Sequence, residues 1–164
     1  MNGQPELYKT LEELNIAFDY YEHPASPTIE EAMKYWVDIE AMHCKNLFFR
    51  NHKGNQHYLV ILDHRRELHI HDLEKRLKQG KLSFASEQRM EKYLGLKPGS
   101  VSPLGLINDN EKHVHIFFDE SLLNAQKISF HPNLNTASLV MLFTDFKRFM
   151  DWTENKYEFI KLYD

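Results

Sequence analysis

Short apolar segments alternate along this chain with turn signals built from Pro, Gly, Asn and Asp, and no one periodicity persists for long. That punctuation restricts the fold to many short strands interleaved with short helices. Strands are expected at Ile16 to Tyr21, Leu82 to Ala85, Val114 to Phe118, Lys127 to Phe130, Ala137 to Phe143 and Tyr157 to Leu162. Asn46 to Arg50 and Tyr58 to Leu62 flank the polar tract Asn51-His52-Lys53-Gly54-Asn55 and read as a β-hairpin. The strand-helix alternation is too irregular for a doubly wound parallel sheet, so the fold class expected is mixed α/β (α+β) around a strongly curved sheet.

Helix signals fill the gaps. Leu7, Leu11 and Leu14 keep helical spacing over Glu6 to Leu14. Thr28 and Glu31 stand three apart, in capping-box spacing, and open a helix through Ile29, Met33 and Trp36. Asp72 to Gln79 reads as a short helix closed by Gly80. Ser86 can cap the next helix, which stops at Leu94-Gly95, and Thr144 can cap one through Phe149 and Trp152.

With 164 residues, 42% hydrophobic and 27% charged, the chain reads as one globular domain over residues 1–164. It has no repeat or Gly/Ser linker to divide it, no apolar run of membrane-spanning length and no secretory start. A single cysteine, Cys44, rules out an internal disulfide. A cytoplasmic protein without a membrane partner is expected. The net charge of -4 argues against coating DNA or RNA through a broad basic surface, but leaves room for a pocket that holds one nucleotide terminus.

Three clusters carry groups suited to chemistry. His43-Cys44-Lys45-Asn46 enters the apolar strand Leu47-Phe48-Phe49. Lys45 there is either a snorkelling surface residue or a fixed ammonium for a phosphate or a polarised ester oxygen. Cys44 invites a nucleophile reading, although a buried inert thiol suits the position better. In Leu96 to Gly105, Gly99 can take positive φ and Pro103 fixes the far end. Ser100, Val101 and Ser102 between them can offer backbone N–H groups and two hydroxyls. The third cluster is Phe130-His131-Pro132-Asn133-Leu134-Asn135-Thr136, where His131 is held extended before a proline.

In order, these are Lys-Asn before an apolar strand, Leu-Gly-x-x-x-Gly-x-x-x-Pro, and His-Pro-Asn-x-Asn-Thr. The ordered set resembles the YbaK / prolyl-tRNA synthetase-associated editing domain family, and within it the freestanding PrdX (ProXp-ala) type. Ser83-Phe84-Ala85-Ser86-Glu87 and Phe117-Phe118-Asp119-Glu120 fit between the motifs, so the resemblance spans nearly the whole chain. It implies a barrel-like, mostly antiparallel sheet flanked by helices. The activity implied is hydrolysis of the ester joining a wrong amino acid to the 3′-terminal adenosine of a tRNA, and for this type the substrate is alanyl-tRNA(Pro). The implied partners are mischarged tRNA and prolyl-tRNA synthetase.

On that resemblance Lys45 anchors the terminal nucleotide or the reacting ester, with Asn46 beside it. Gly99 to Pro103 is the GxxxP loop that cradles the ester through its backbone, and His131 lines the same pocket, with no role as general base assigned. An aminoacyl ester is already activated, so a positioned water, backbone donors and one cation suffice, without cofactor or metal. A pocket shaped for proline cannot strongly reject alanine, so a second sieve must exclude proline by size. Ile29, Met33 and Phe49 are the expected wall of its small apolar pocket.

Rival readings attach to other residues. His69-Ile70-His71-Asp72 and His113-Val114-His115 carry the His-x-His spacing of some metal hydrolases, without an obvious third ligand. A non-catalytic module binding tRNA or a synthetase, or an editing domain for cysteinyl-, seryl- or threonyl-tRNA, would use the same fold. Lys75, Arg76, Lys78 and Lys81 form a basic run that can meet phosphates or simply face solvent.

Overall fold

The ladder between β2 (Met42–Asn51) and β3 (His57–Asp63) is the longest in the protein, antiparallel from Cys44 opposite Asp63 to Arg50 opposite His57. Asn51 closes its turn, since the side-chain oxygen accepts the N–H groups of Asn55 and Gln56. This geometry comes from a computed structural model describing residues 1–164 apart from residues 26–27 and the side chain of Ile29.

Six further strands join the hairpin. They are β1 (Asp19–Glu22), β4 (Leu82–Phe84), β5 (His115–Asp119), β6 (Lys127–Phe130), β7 (Ala137–Leu142) and β8 (Tyr157–Ile160). The order is β1-β7-β6-β2-β3-β5-β8, and β4 pairs with the far end of β2. The β1–β7, β7–β6, β2–β3 and β2–β4 ladders are antiparallel, whereas β2–β6, β3–β5 and β5–β8 are parallel. The domain is therefore mixed α/β, with an eight-stranded, mostly antiparallel sheet flanked by helices.

Curvature follows from the core. β3 is buried along its whole length, with Leu59 and Ile61 packed on one face and Tyr58, Val60 and Leu62 on the other. The first face gathers residues from both arms of the sheet, including Phe118 on β5 and Phe130 on β6. Phe146 of α5 (Phe143–Thr153) touches both, its ring centroid 5.7 Å from that of Phe118 and 4.7 Å from that of Phe130. The sheet thus curls around α5 and around Leu7 and Leu11 of α1 (Pro5–Glu13). The opposite face is covered by Leu73 and Leu77 of α3 (Ile70–Leu77).

Local chemistry sets the helix ends. Thr28 Oγ1 accepts the Glu31 N–H at 3.2 Å and opens α2 (Ile29–Trp36). Ser86 Oγ accepts the Arg89 N–H at 3.2 Å and opens α4 (Glu87–Leu94), which Gly95 ends at φ +66°. Two expected ends differ. α5 starts at Phe143, so Thr144 is not its cap; the Phe143 N–H already has the Gln126 carbonyl at 2.9 Å. Lys78, at φ 56°, ends α3 before Gly80 is reached.

Candidate active site

A cleft of about 590 Å³ opens where α2, the entry to β2, the start of α4, the Pro98–Val101 loop and the β6–β7 junction meet. Strand β2 brings Lys45 and Asn46 to it. Lys45 Nζ donates to the Arg66 carbonyl at 2.6 Å, which fixes the ammonium at the cleft. The Asn46 side-chain oxygen is buried with no hydrogen-bond partner among the described residues. It is an acceptor waiting for a donor.

Gly99 lies at φ +85°, so the loop turns back and presents Gly99 and Val101 to the cleft. Neither backbone N–H meets an acceptor among the described residues, whereas that of Ser100 donates to the Lys97 carbonyl at 3.0 Å. The rest of the loop is structural. Ser102 is fully buried and its hydroxyl accepts the Leu104 N–H at 3.1 Å. Pro103 opens a buried 3-10 turn, Pro103–Asn108. Ser100, Ser102 and Pro103 are buried beneath the loop and do not line the cleft.

His131 lines the cleft from the end of β6. Its Nδ1 lies 2.9 Å from the Ala137 carbonyl, which places the proton there and leaves a lone pair on Nε2. Burial pushes its pKa down, partly offset by that carbonyl.

Two of the expected wall residues, Phe49 and Met33, lie off the cleft. Phe48 and Phe49 point to opposite faces of β2, so Phe48 reaches the cleft and Phe49 packs under α3 with Leu73, Leu77 and Leu82. Met33 is 48% exposed and lies off the cleft, while Ala32 and Trp36 of the same helix line it. The Ile29 side chain lies outside the described residues. Cys44 borders the cleft but is buried, and burial pushes its thiol pKa up, as for an inert thiol.

The histidine pairs split. His69 precedes α3 and His71 lies within it, bonded to Glu74 at 3.0 Å, so the two do not share a strand face. His113 meets His57 and His115 meets Glu158; among the described residues no three His, Cys, Asp or Glu side chains cluster as a metal site. Lys75, Arg76, Lys78 and Lys81 all lie off the cleft, and Arg76 is paired with Asp164.

Three cleft features escaped the sequence. Trp36 lies flat on His43, centroids 4.6 Å apart and planes within 9°. Ser129 and Ser138, each sitting in an apolar strand, both line the cleft. Ser138 Oγ is 3.0 Å from His23 Nε2, a contact spanning 115 positions that no local motif announces. Among the described residues the walls offer the Lys45 ammonium, the Gly99 and Val101 amides without an acceptor, and several acceptors, a set suited to an ester with a developing oxyanion.

Residues 23–149, which carry every one of these groups, match the family model of the aminoacyl-tRNA editing domain. The chain belongs to this family. The editing domain is 38% identical over 164 residues to the prolyl-tRNA editing protein ProX of Acetoanaerobium sticklandii, covering 99% of each chain. It is 34% identical over 152 residues to the prolyl-tRNA synthetase associated domain-containing protein 1 of Mus musculus, covering 90% of this chain and 89% of that one. Its fold is shared with a crystal structure described as a candidate trans-editing enzyme for prolyl tRNA synthetase, with TM-score 0.69, 21% identity and coverage of 98% and 99%. The hypothetical protein APE2540 has the same fold at TM-score 0.71 and 16% identity, with coverage of 94% and 98%.

Proposed function

We propose that this editing domain acts in trans as an aminoacyl-tRNA deacylase, hydrolysing the ester of alanyl-tRNA(Pro). The observation that carries the reading is the convergence on one cleft of Lys45, Gly99 and Val101, whose N–H groups meet no acceptor among the described residues, and His131. ProX, the similar protein from Acetoanaerobium sticklandii, is named for editing prolyl-tRNA, which favours the proline tRNA as carrier.

In the proposed reaction the 3′-terminal adenosine lies against Lys45, which neutralises a phosphate or polarises the ester. A water attacks the carbonyl carbon. The oxygen that gains charge faces the Gly99 and Val101 amides, and the 3′-oxygen of the ribose leaves with a proton. Losing one such donor typically costs about 10²–10³ in rate, so the loop would supply much of the catalysis. His131, with its Nε2 lone pair, borders the substrate as an acceptor. Prolyl-tRNA synthetase is the proposed source of the mischarged tRNA and the cytoplasm the proposed compartment; among the described residues no helix is long and apolar enough to cross a membrane.

The test is hydrolysis of labelled alanyl-, prolyl-, cysteinyl- and seryl-tRNA, all on the proline tRNA, by wild type and Lys45→Ala in the presence of chelator. Loss of alanine alone, abolished by the substitution, supports the assignment. Release of cysteine or serine instead would move the substrate within the family. No release at all would leave a non-catalytic tRNA- or synthetase-binding module.

A further inference from the structure

We propose that Ser138, oriented by His23, is the acceptor in this cleft for the α-ammonium group of the aminoacyl ester. The inference rests on the deacylase reading and assigns one part of the substrate to one wall of the cleft.

The orientation of Ser138 follows from its partner. His23 is buried and its ring stacks on Tyr35, with centroids 5.4 Å apart. Its Nδ1 lies 2.9 Å from the Pro24 carbonyl, which can only accept, so the ring proton sits on Nδ1. In the uncharged ring Nε2 then holds a lone pair, and the Ser138 hydroxyl at 3.0 Å donates to it. A hydroxyl has one proton and two lone pairs. With the proton committed to His23, Ser138 meets the cleft only as an acceptor.

The neighbouring strand repeats the pattern. β6 and β7 pair through Phe130 and Leu139, and His131 and Ser138 are the next residues on the two strands. The His131 ring lies 5.9 Å from that of His23 and spends its Nδ1 proton on the Ala137 carbonyl. Two acceptors, Ser138 Oγ and His131 Nε2, thus stand side by side where each histidine has given its proton to backbone. Such a wall suits a donor, and a charged one most of all. The cation of the cleft, Lys45, sits on β2 and is suited to the nucleotide side. An aminoacyl ester carries acceptors at its carbonyl and phosphates and a cationic donor at its α-amine, so this polarity gives it one orientation.

Ser138 is a substrate-binding residue on this account, and His23 is a positioning residue. The experiment measures binding of a hydrolysis-resistant probe, 3′-alanylamino-3′-deoxyadenosine, by titration calorimetry. Companion probes are its N-acetyl derivative, which lacks the ammonium, and its 2′-deoxy derivative, which lacks the ribose hydroxyl. Wild type is expected to prefer the free amine about tenfold over the N-acetyl form. Ser138→Ala should lose that preference by weakening only the free amine. His23→Phe, which keeps a ring but offers no acceptor, should shrink it in the same direction, since the serine proton is then no longer committed. A merely structural role would weaken all three probes together and overturn the proposal. An unchanged preference in Ser138→Ala, or failure of wild type to bind the free amine, overturns it too. A loss confined to probes bearing the 2′-hydroxyl would reassign Ser138 to the ribose and overturn the ammonium. Wild-type binding without hydrolysis of alanyl-tRNA(Pro) would instead sink the deacylase reading and leave the contact standing.

Discussion

Lys45 Nζ donates to the carbonyl of Arg66 at 2.6 Å, and the Arg66 guanidinium lies over the Tyr163 ring at 4.2 Å. The Arg66 N–H also donates to the Asp63 carbonyl at 3.0 Å, so the oxygen that holds the ammonium is itself held. Such a cation needs no reorganisation when an anionic or polarised group arrives. Lys45→Ala should therefore lower the single-turnover deacylation rate by about 10²-fold or more while leaving the urea midpoint near that of wild type. A variant that hydrolyses alanyl-tRNA(Pro) at the wild-type rate would remove Lys45 from the mechanism.

Gly99 separates conformation from contact. At φ +85° a Cβ strains the backbone, at a cost of about 1–2 kcal/mol. The loop can relieve that strain by rotating the Gly99 and Val101 amides away from the cleft. Gly99→Ala is expected to fall in rate by more than its loss of stability explains, measured by single-turnover kinetics beside urea denaturation. Equal activity in a less stable protein would show that the amides are not used.

The parts of this molecule written in local chemistry were legible in its sequence. Thr28, Ser86 and Gly95 set helix ends because capping acts within one turn, while Lys45, Gly99 and His131, far apart in sequence, line one cleft. Parity was not legible. Phe48 and Phe49 are adjacent and both almost fully buried, because β2 is covered on both faces, so no alternation marks which one meets the cleft. Helix α2 presents Ala32 and Trp36, and not Met33, because the sheet residue beneath it is His43, against which the Trp36 ring stacks. His23 and Ser138 come together only because β1 pairs with β7, placing Tyr21 opposite Ser138.

That parity makes a contrast between side chains proposed for the same wall. Met33 is half exposed, so Met33→Ala should change stability by no more than about 0.5 kcal/mol and leave the alanine-over-proline ratio intact. Phe49 is 1% exposed under α3, and Phe49→Ala should cost about 3–5 kcal/mol. Phe48→Leu, which enlarges the cleft, is the substitution expected to raise hydrolysis of prolyl-tRNA. Competition between alanyl- and prolyl-tRNA, with denaturation curves for each variant, checks all three. A change of selectivity in Met33→Ala would mean that α2 turns a different face to the substrate.

Acid should destabilise the fold through His57, the fully buried first residue of β3. The Arg89 guanidinium donates to its Nε2 at 3.1 Å, and its Nδ1 lies 2.8 Å from His113 Nε2. A second ring proton would face the guanidinium directly. Burial first, then the charges of His113, Arg89, Lys92 and Arg50, lower its pKa from 6.5 to about 4. The unfolded ring takes up a proton below its ordinary value, whereas the folded ring does so only near the lowered one. Stability is thus complete above pH 6.5 and is lost as pH falls toward 4, by at most about 3 kcal/mol from this group. His43 and His131 shift downward as well and add to the same slope. His57→Gln, which keeps hydrogen-bonding capacity and cannot titrate, should be less stable than wild type near neutral pH yet lose less on acidification. Urea midpoints taken on either side of the window measure that difference in slope, and identical slopes in the two proteins would clear His57 of any part in it.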